Sequence, residues 1–298
     1  MPTTQQPHGQ DPRQQGRKPP FPPQEQDAPG SQQKMQPQPD AGETSYRGLG
    51  RLPNRVALIT GGDSGIGRAV AIAYAREGAD VAFGYLSEEE DARRTREVIQ
   101  AEQRRTLDLA GDLADPRHCK RLVDEVVAKF GRIDILVNNA AYQGPKVDRF
   151  EDLDEERIER TFRVNIIAMF HLTRHALPHM RPGSVIINTA SIQAYEPSFG
   201  ILDYASTKGA IVSFTKGLAE GLIERGIRAN AVAPGPVWTP LIPTSFDAKH
   251  TAEFGKQSPM GRPAQPVEIA PAYVFLASDE GRYVNGEILG VTGKGGLA

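Results

Sequence analysis

The chain has 298 residues, of which 39% are hydrophobic and 24% charged, and its formal net charge is −2. This near balance gives no support for a nucleic-acid partner. No run of 18 or more apolar residues predicts a membrane span, and the N-terminus lacks the basic start and apolar core of a secretory signal. The single cysteine, Cys119, excludes an intrachain disulfide and is typical of a reducing compartment, so we expect a cytoplasmic protein.

The first 48 residues differ in composition from the rest. Residues 1–40 contain 10 of the 24 prolines and 11 glutamines, and Phe21 is their only aromatic residue. Such a segment buries too little apolar surface to offset its ordering entropy, so residues 1–48 are predicted to be a disordered tail or docking arm. A peptide ligand for a proline-reading domain is the alternative. Deletion of residues 1–45 is therefore expected to leave activity and the melting transition nearly unchanged. Residues 49–298 are predicted to form one domain.

From Arg55 onward, short apolar runs alternate with longer helical patterns. Strands are predicted at 56–60, 81–83, 105–110, 133–137, 184–188, 228–232 and 287–291, and helices at 65–77, 88–103, 116–130, 154–180, 203–224 and 267–277. This alternation implies an α/β fold, a Rossmann-type doubly wound parallel sheet of about seven strands with helices on both faces. Right-handed crossovers place every strand-to-helix loop at one edge of the sheet, where ligands bind.

The first of these loops is rich in glycine. Gly61, Gly65 and Gly67 permit a tight turn, a close approach of backbone to a phosphate, and packing of the next helix on the strand. The helix N-terminus then directs N–H groups at a pyrophosphate. The spacing differs from the commoner G-x-G-x-x-G, but its position between a strand and a helix favours a dinucleotide site over a plain turn.

The end of the second predicted strand bears on the choice of cofactor. Dinucleotide folds often place an acidic residue there to hold the adenosine ribose hydroxyls. Here the strand ends at Tyr85, and the first carboxylate is Glu88. The missing acid removes a repulsion against a 2′-phosphate, which favours NADP, with NAD as the alternative. No arginine follows Tyr85, so Arg68 is the candidate to contact that phosphate.

Tyr204 and Lys208 are four residues apart in a predicted helix, which puts both on one face, a turn apart. A tyrosine has a reference pKa of about 10 and is a poor base at neutral pH. A nearby ammonium and the positive ring of an oxidised nicotinamide favour the phenolate, so we expect the pKa of Tyr204 to be lowered. By itself, this spacing occurs by chance in many helices.

Further polar residues follow the ends of other predicted strands. Ser191 follows the fifth strand, where its hydroxyl could hold a substrate oxygen, although a lone serine there is more often a turn residue or helix cap. Residues 138–140, Asn-Asn-Ala, end the fourth strand, and residues 234–235, Pro-Gly, end the sixth. Asn165 lies in an apolar helical stretch, where a buried amide must be hydrogen-bonded and so either binds backbone or holds a water.

In this order, the motifs resemble those of the short-chain dehydrogenase/reductase family, of the compact single-domain kind. The resemblance covers about residues 50–298, and the set is specific although each motif alone is weak. Ala141 replaces a glycine that is frequent in the family, and residues 290–295 are slightly altered. The proline-rich extension resembles that of a stress-associated bacterial branch, close to sugar-dehydrogenase-like and aldehyde-reductase-like members.

The resemblance implies a role for each motif. Tyr204 is the acid/base, Lys208 lowers its pKa and holds the nicotinamide ribose, and Ser191 orients the substrate oxygen. Asn165 anchors a water that links Lys208 to solvent. Asp112 and Leu113 are implied at the adenine, Asn139 and Ala140 near the adenosine ribose, and Val237 and Thr239 at the nicotinamide amide. The remaining implied cofactor contacts are Gly61, Asp63, Ser64, Gly65, Ile66, Gly67, Tyr85, Tyr204, Lys208, Pro234 and Gly235; no metal site is expected.

The expected function is reversible hydride transfer between NADP(H) and a small-molecule carbonyl or secondary alcohol, while Tyr204 neutralises the developing alkoxide. The alternative from another class is a catalytically idle NAD(P)-binding sensor, for which loss of the tyrosine or lysine would be typical. An enoyl reductase would carry its lysine further along the helix, at the position held by Ile211. Extended epimerase-like relatives need a longer region after Pro234.

Substrate contacts are expected from residues 236–262, an apolar, proline-containing segment suited to a lid. Its apolar side chains are Trp238, Leu241, Ile242, Phe246, Phe254 and Met260, and Gln193, Tyr195 and Glu196 are further candidates. These residues do not distinguish aldehydes, ketones, sugars and acyl thioesters. Family analogy implies a homotetramer, with Ile211, Val212 and Phe214 as an interface face.

Overall fold

A computed structural model describes residues 11–297 of the chain. Seven strands form one parallel sheet: β1 (Val56–Thr60), β2 (Asp80–Tyr85), β3 (Thr106–Ala110), β4 (Ile135–Asn138), β5 (Val185–Thr189), β6 (Arg228–Pro234) and β7 (Ile288–Val291). The strand order is β3-β2-β1-β4-β5-β6-β7. The order reverses between β1 and β4, which creates a crevice at their carboxyl ends. The predicted doubly wound α/β fold is confirmed.

Nine α-helices flank the sheet within residues 11–297: α1 (Gly65–Arg76), α2 (Glu89–Ala101), α3 (Pro116–Phe130), α4 (Glu155–Phe162), α5 (Ala168–Ala176), α6 (Leu202–Leu222), α7 (Leu241–Ser245), α8 (Ala248–Ala252) and α9 (Pro266–Ala277). Alternate residues of a strand face opposite sides of a sheet. Ala57 and Ile59 therefore pack against α1 and α9, whereas Val56 and Leu58 pack against α3 and α5. Both faces are covered, which is why β1 is apolar from Val56 to Ile59.

The long helix predicted over 154–180 has an internal irregularity. A π-helical turn, Arg163–Ile167, separates α4 from α5, and a 3-10 turn, Leu177–His179, follows α5. Single π-helical turns inside α-helices occur frequently at functional sites, and this one contains the singled-out Asn165. Helices α7 and α8 were not predicted, because each has only five residues and shows no helical period.

The N-terminal residues differ most from expectation. Residues 11–48, here called the N-terminal strap, lie along the domain instead of extending into solvent; residues 1–10 of the predicted tail lie outside the described part of the chain. Phe21 is 4% exposed and Met35 1% exposed, and both pack against Trp238 and Ile242. The composition argument fails over residues 11–48 because a segment too poor in apolar residues to build its own core can still bury a few of them in a neighbouring one.

No helix between residues 11 and 297 is long and apolar enough to cross a membrane.

Candidate active site

A cleft of about 800 Å³ opens at the carboxyl-terminal edge of the sheet. Loops that follow β1, β3, β4, β5 and β6 all reach it, as the crossover rule predicts. Most of the predicted site residues line it: Gly61, Asp63, Ser64, Gly65, Ile66, Tyr85, Asp112, Leu113, Asn139, Ala140, Ser191, Tyr204, Lys208, Pro234, Gly235, Val237 and Thr239. The other two predicted site residues, Gly67 and Asn165, do not line the cleft.

Gly67 stands where α1 leaves the end of β1. A β-carbon built on Gly67 would lie 1.8 Å from the Gly61 carbonyl oxygen and 2.7 Å from the Asn139 side-chain nitrogen. No other residue type fits this approach. Asn139 donates its side-chain N–H to the carbonyls of Thr60 (3.0 Å) and Gly61 (3.3 Å), so it also joins the ends of β4 and β1. The glycine loop is therefore held against the neighbouring strand.

Tyr204 and Lys208 lie in the first two turns of α6 and are both buried, at 8% and 1% exposure. The Lys208 Nζ is 5.1 Å from the Tyr204 ring centroid and donates a hydrogen bond to the Thr189 carbonyl oxygen (2.8 Å). The lysine thus bridges α6 and the end of β5. The helical spacing predicted from the sequence places both side chains on the cleft, next to Ser191.

The pKa of Tyr204 shifts in the direction opposite to the sequence expectation. Burial raises it to about 12, and the Ser191 hydroxyl acts in the other direction. Burial also lowers the pKa of Lys208 to about 7, because an ammonium loses its hydration there. The protein alone therefore favours a neutral phenol. The expectation counted the attraction between phenolate and ammonium and left out the cost of desolvating both.

Asn165 is fully buried in the π-helical turn, and its side-chain amide forms hydrogen bonds with other groups of the protein. Its Oδ1 accepts from the Tyr142 backbone N–H (2.7 Å), and its Nδ2 donates to the Tyr142 carbonyl (2.9 Å) and to the Thr207 hydroxyl (3.1 Å). The expected backbone partner is present, together with a side-chain hydroxyl. Asn165 fixes the loop after β4 to the helix that carries Tyr204.

A buried ion pair next to Tyr204 was missed by the sequence reasoning. Arg157 of α4 donates from Nε to Asp203 Oδ2 and from Nη2 to Asp203 Oδ1, each at 2.9 Å, and Thr161 adds a third hydrogen bond to Asp203 Oδ2 (2.9 Å). Although burial opposes it, the guanidinium keeps the pKa of Asp203 below its usual value. The pair fastens α4 to the start of α6. The two residues are 46 positions apart, so no local pattern could reveal them.

The other end of the cleft contains several carboxylates. Asp112 accepts from the Ala114 backbone N–H (2.8 Å) and pairs with Arg160 (2.5 Å), which also lines the cleft. Asp63, in the glycine loop, is 4% exposed, and its burial, reinforced by the charge of Glu88, raises its pKa to about 7. Burial therefore favours the protonated form of this carboxyl.

Arg68 does not reach this part of the cleft, contrary to expectation. It is 4% exposed, and its Nη2 donates to Asp91 Oδ1 (3.0 Å). Its Nε donates to the Asp63 carbonyl (2.7 Å) and to the Thr95 hydroxyl (3.0 Å). The hydrogen bonds of the guanidinium thus connect α1 to α2 and to the glycine loop. The sequence alone did not identify Asp91, 23 positions away, as its partner.

Only some of the apolar residues of the expected lid face the cleft. Leu241, Ile242, Phe246 and Phe254 line the cleft, whereas Trp238 is fully buried and packs on Phe21, with ring centroids 4.3 Å apart. Met260 and Tyr195 do not line it. Gln193 and Glu196 do, as expected. Lining residues that the sequence reasoning missed include Ala28, Pro29 and Gly30 of the strap, Gln143, Thr189, Ile201 and Lys294.

The fold and this cleft are those of a dinucleotide-binding α/β protein, and comparison with known proteins identifies the family. A family profile described as enoyl-(acyl carrier protein) reductase matches residues 61–295. The glucose and ribitol dehydrogenase of Daucus carota is 52% identical over 276 residues, covering 90% of this chain and 94% of the relative. The NADPH-dependent aldehyde reductase 1, chloroplastic, of Arabidopsis thaliana is 51% identical over 268 residues, covering 88% and 93%.

Comparison with a solved structure points to the same family. A short-chain dehydrogenase from Burkholderia cenocepacia, in complex with NADP, is 34% identical and superimposes with a TM-score of 0.75, covering 82% of this chain and 98% of that one. The chain belongs to the short-chain dehydrogenase/reductase family, whose members are NAD(P)-dependent oxidoreductases.

Proposed function

We propose that the protein transfers hydride reversibly between a nicotinamide cofactor and a small carbonyl compound or secondary alcohol, with Tyr204 as the general acid/base. The observation that carries this proposal is the convergence of Tyr204, Lys208 and Ser191 on the cleft that the glycine loop also lines. The spacing of Tyr204 and Lys208 is that of the family's dehydrogenases, and Ile211 holds the place of an enoyl reductase lysine. The description of the matching family profile therefore does not decide the reaction.

The cleft fits a dinucleotide. The glycine loop leaves room for close approach, and the N-terminus of α1 offers backbone N–H groups to a pyrophosphate. Asp112 and Leu113 would contact the adenine, Asn139 and Ala140 the adenosine ribose, and Val237 and Thr239 the nicotinamide amide. The remaining contacts are proposed as predicted from the sequence. When bound, the cofactor supplies or accepts the hydride, and its oxidised ring adds a positive charge near Tyr204.

NADP is proposed as the preferred cofactor, with NAD as the alternative. The Arabidopsis relative is NADPH-dependent, and the Burkholderia structure contains NADP. In this chain, β2 ends at Tyr85 and not at a carboxylate that would repel a 2′-phosphate. Arg68 supplies no contact to that phosphate, so the preference depends on the missing acid and not on an arginine.

The chain's own groups manage the proton. In the reducing direction, the neutral phenol of Tyr204 donates its proton to the oxygen of the carbonyl as the alkoxide develops. Ser191 holds that oxygen from the other side. Lys208, fixed by the Thr189 carbonyl, stabilises the resulting phenolate when it is protonated. In the oxidising direction, the phenolate removes the proton from the alcohol.

The substrate is proposed to be a small aldehyde, ketone or polyol. One wall is apolar, with Ile192, Leu241 and Phe246, whereas Gln193 and Glu196 provide polar contacts. The carrot relative is a glucose and ribitol dehydrogenase and the Arabidopsis relative an aldehyde reductase, which supports both classes.

The test is the Tyr204→Phe variant, assayed on a panel of carbonyls and alcohols with NADPH and NADH. Loss of the phenolic oxygen is expected to lower kcat by at least about 10²–10⁴-fold, the typical contribution of general acid/base catalysis. Cofactor affinity, measured by the fluorescence of the reduced nicotinamide, is expected to change less than about threefold. A variant that keeps more than a tenth of the wild-type kcat would refute the role of Tyr204.

A further inference from the structure

The N-terminal strap joins two parts of the candidate active site that are far apart in the sequence. It binds the lid at several points: the Phe21 N–H donates to the Ala252 carbonyl and the Gln26 N–H to the Pro243 carbonyl, both at 2.8 Å. The Trp238 indole N–H donates to the Pro37 carbonyl (2.8 Å). These hydrogen bonds lie beside the apolar cluster in which Phe21 and Met35 pack against Trp238 and Ile242. The strap is therefore attached to the lid by both apolar contacts and hydrogen bonds.

Between these attachments to the lid, the strap reaches the glycine loop through Gln32. The Gln32 side-chain Oε1 accepts from the Gly65 backbone N–H (2.8 Å), and the Gln32 backbone N–H donates to Asp91 Oδ2 (2.8 Å). Asp91 is itself 1% exposed and paired with Arg68. Gln32 is 2% exposed, so it is a fixed part of this network and not a loosely resting surface residue.

The hydrogen bond to Gly65 replaces a missing helix cap. Gly65 is the first residue of α1, so its N–H has no partner inside the helix. The N-cap residue, Ser64, makes no side-chain capping bond, and Gln32 accepts from Gly65 instead. Gly65 has a φ of +52°, in the left-handed region that glycine adopts readily. The bond to Gln32 therefore adds, from outside the helix, a restraint on the orientation of this backbone.

Gln32 binds the loop from behind. Gly65 and its neighbours Ser64 and Ile66 line the cleft, whereas Gln32 does not. The side chain therefore leaves the cleft side of the loop free for a ligand and does not fill the place of a phosphate. Gln32 therefore supports the glycine loop and does not block the cleft.

We propose that the strap holds the dinucleotide site in its binding geometry, and that Gln32 is the positioning residue for the glycine loop. The glycine loop is then already ordered before the pyrophosphate binds, so the conformational entropy of the loop is lost on folding and not on binding. This inference rests on the proposed dinucleotide site but not on the acid/base role of Tyr204. The strap thereby acts on the reaction through cofactor affinity.

The test compares Gln32→Met, which keeps the length of the side chain and removes the acceptor, with Gln36→Met, which changes an exposed glutamine of the same segment. Binding of NADPH and NADH to the full-length protein is measured directly by nicotinamide fluorescence. Gln32→Met is expected to weaken binding of both about three- to tenfold, to raise the cofactor KM in parallel, and to leave kcat at saturation within about twofold. Gln36→Met is expected to match the wild type.

Two further measurements make the result decisive. Trp238 is the only tryptophan, so its emission reports whether the strap is still docked in each variant. Amide hydrogen exchange on the wild-type protein without cofactor is expected to show protection at residues 61–68. Exchange there as fast as in an unstructured peptide would overturn the proposal even if the variant failed to fold.

Unchanged cofactor binding by a folded Gln32→Met variant would also overturn it, and so would tighter binding, since Gln32 would then be obstructing the site. Failure of the proposed function looks different. A wild-type protein that binds neither dinucleotide would reject the site itself. Intact binding with full activity in Tyr204→Phe would reject only the acid/base role.

Discussion

Lys208 and Tyr204 show how burial changes the chemistry of a side chain. Each is nearly inaccessible to solvent, and burial shifts both groups toward their neutral forms. Burial raises the pKa of Tyr204 to about 12 and lowers that of Lys208 to about 7, so near neutral pH the tyrosine is a phenol, whereas the lysine loses its proton as the pH rises. The phenol is the form that carbonyl reduction requires, whereas alcohol oxidation requires the phenolate.

This asymmetry predicts different pH dependences for the two directions. Between pH 6 and pH 8 the fraction of phenolate rises about tenfold per pH unit, because the pH stays well below the pKa of Tyr204. The kcat/KM for alcohol oxidation is expected to rise up to about pH 7 and to level off above it, because Lys208 then loses the proton that stabilises the phenolate; the kcat/KM for carbonyl reduction is expected to be flat up to about pH 7 and to fall above it. Initial rates in both directions, in buffers of constant ionic strength, check this. An oxidation rate that is flat between pH 6 and pH 7 would contradict the assignment.

At the scale of elements, the helix that carries Tyr204 is fixed by contacts from outside it. The buried Arg157–Asp203 pair attaches α4 to its first turn, and Asn165 attaches the π-helical turn to Thr207. Removing one partner of a buried ion pair leaves the other charge uncompensated, which typically costs about 3–5 kcal/mol.

Asp203→Asn is therefore expected to lower the free energy of unfolding by about 3 kcal/mol and the Tm by roughly 6–12 °C. Thermal and denaturant unfolding measure the effect. The matched control is Glu159→Gln, which breaks the exposed pair between Glu159 of α4 and Arg163; it is expected to cost less than about 0.5 kcal/mol. Equal effects of the two substitutions would show that the buried pair contributes no more than the exposed one.

At the scale of the whole molecule, one apolar surface lacks cover in the described chain. Phe170 is 56% exposed and Ile167 45% exposed, and the Phe170 ring lies 4.6 Å from that of Phe214 on α6. Clustered exposed apolar residues are typical of subunit interfaces. Ile211, expected at the interface, is instead fully buried in the core, so the face is shifted toward α5.

The Phe170→Glu variant is expected to dissociate the predicted homotetramer into smaller species, because a charge on each copy would be buried against its counterpart. Sedimentation or light scattering at micromolar concentration measures the mass. Phe150→Glu, at a residue with the same 56% exposure outside this surface, is the control and is expected to leave the mass unchanged. A wild-type protein that is monomeric at these concentrations would refute the expected assembly.

The sequence by itself determined the order of strands and helices, the glycine loop and the one-turn spacing of Tyr204 and Lys208. These features are local: a strand buried on both faces must be apolar along its length, and helical spacing puts residues i and i+4 on one face. Only the tertiary structure decided what depends on distant partners. Gln32 meets Gly65 across 33 positions, and Trp238 meets Pro37 across 201. The strap is ordered because the completed domain offers these partners, which composition alone cannot reveal.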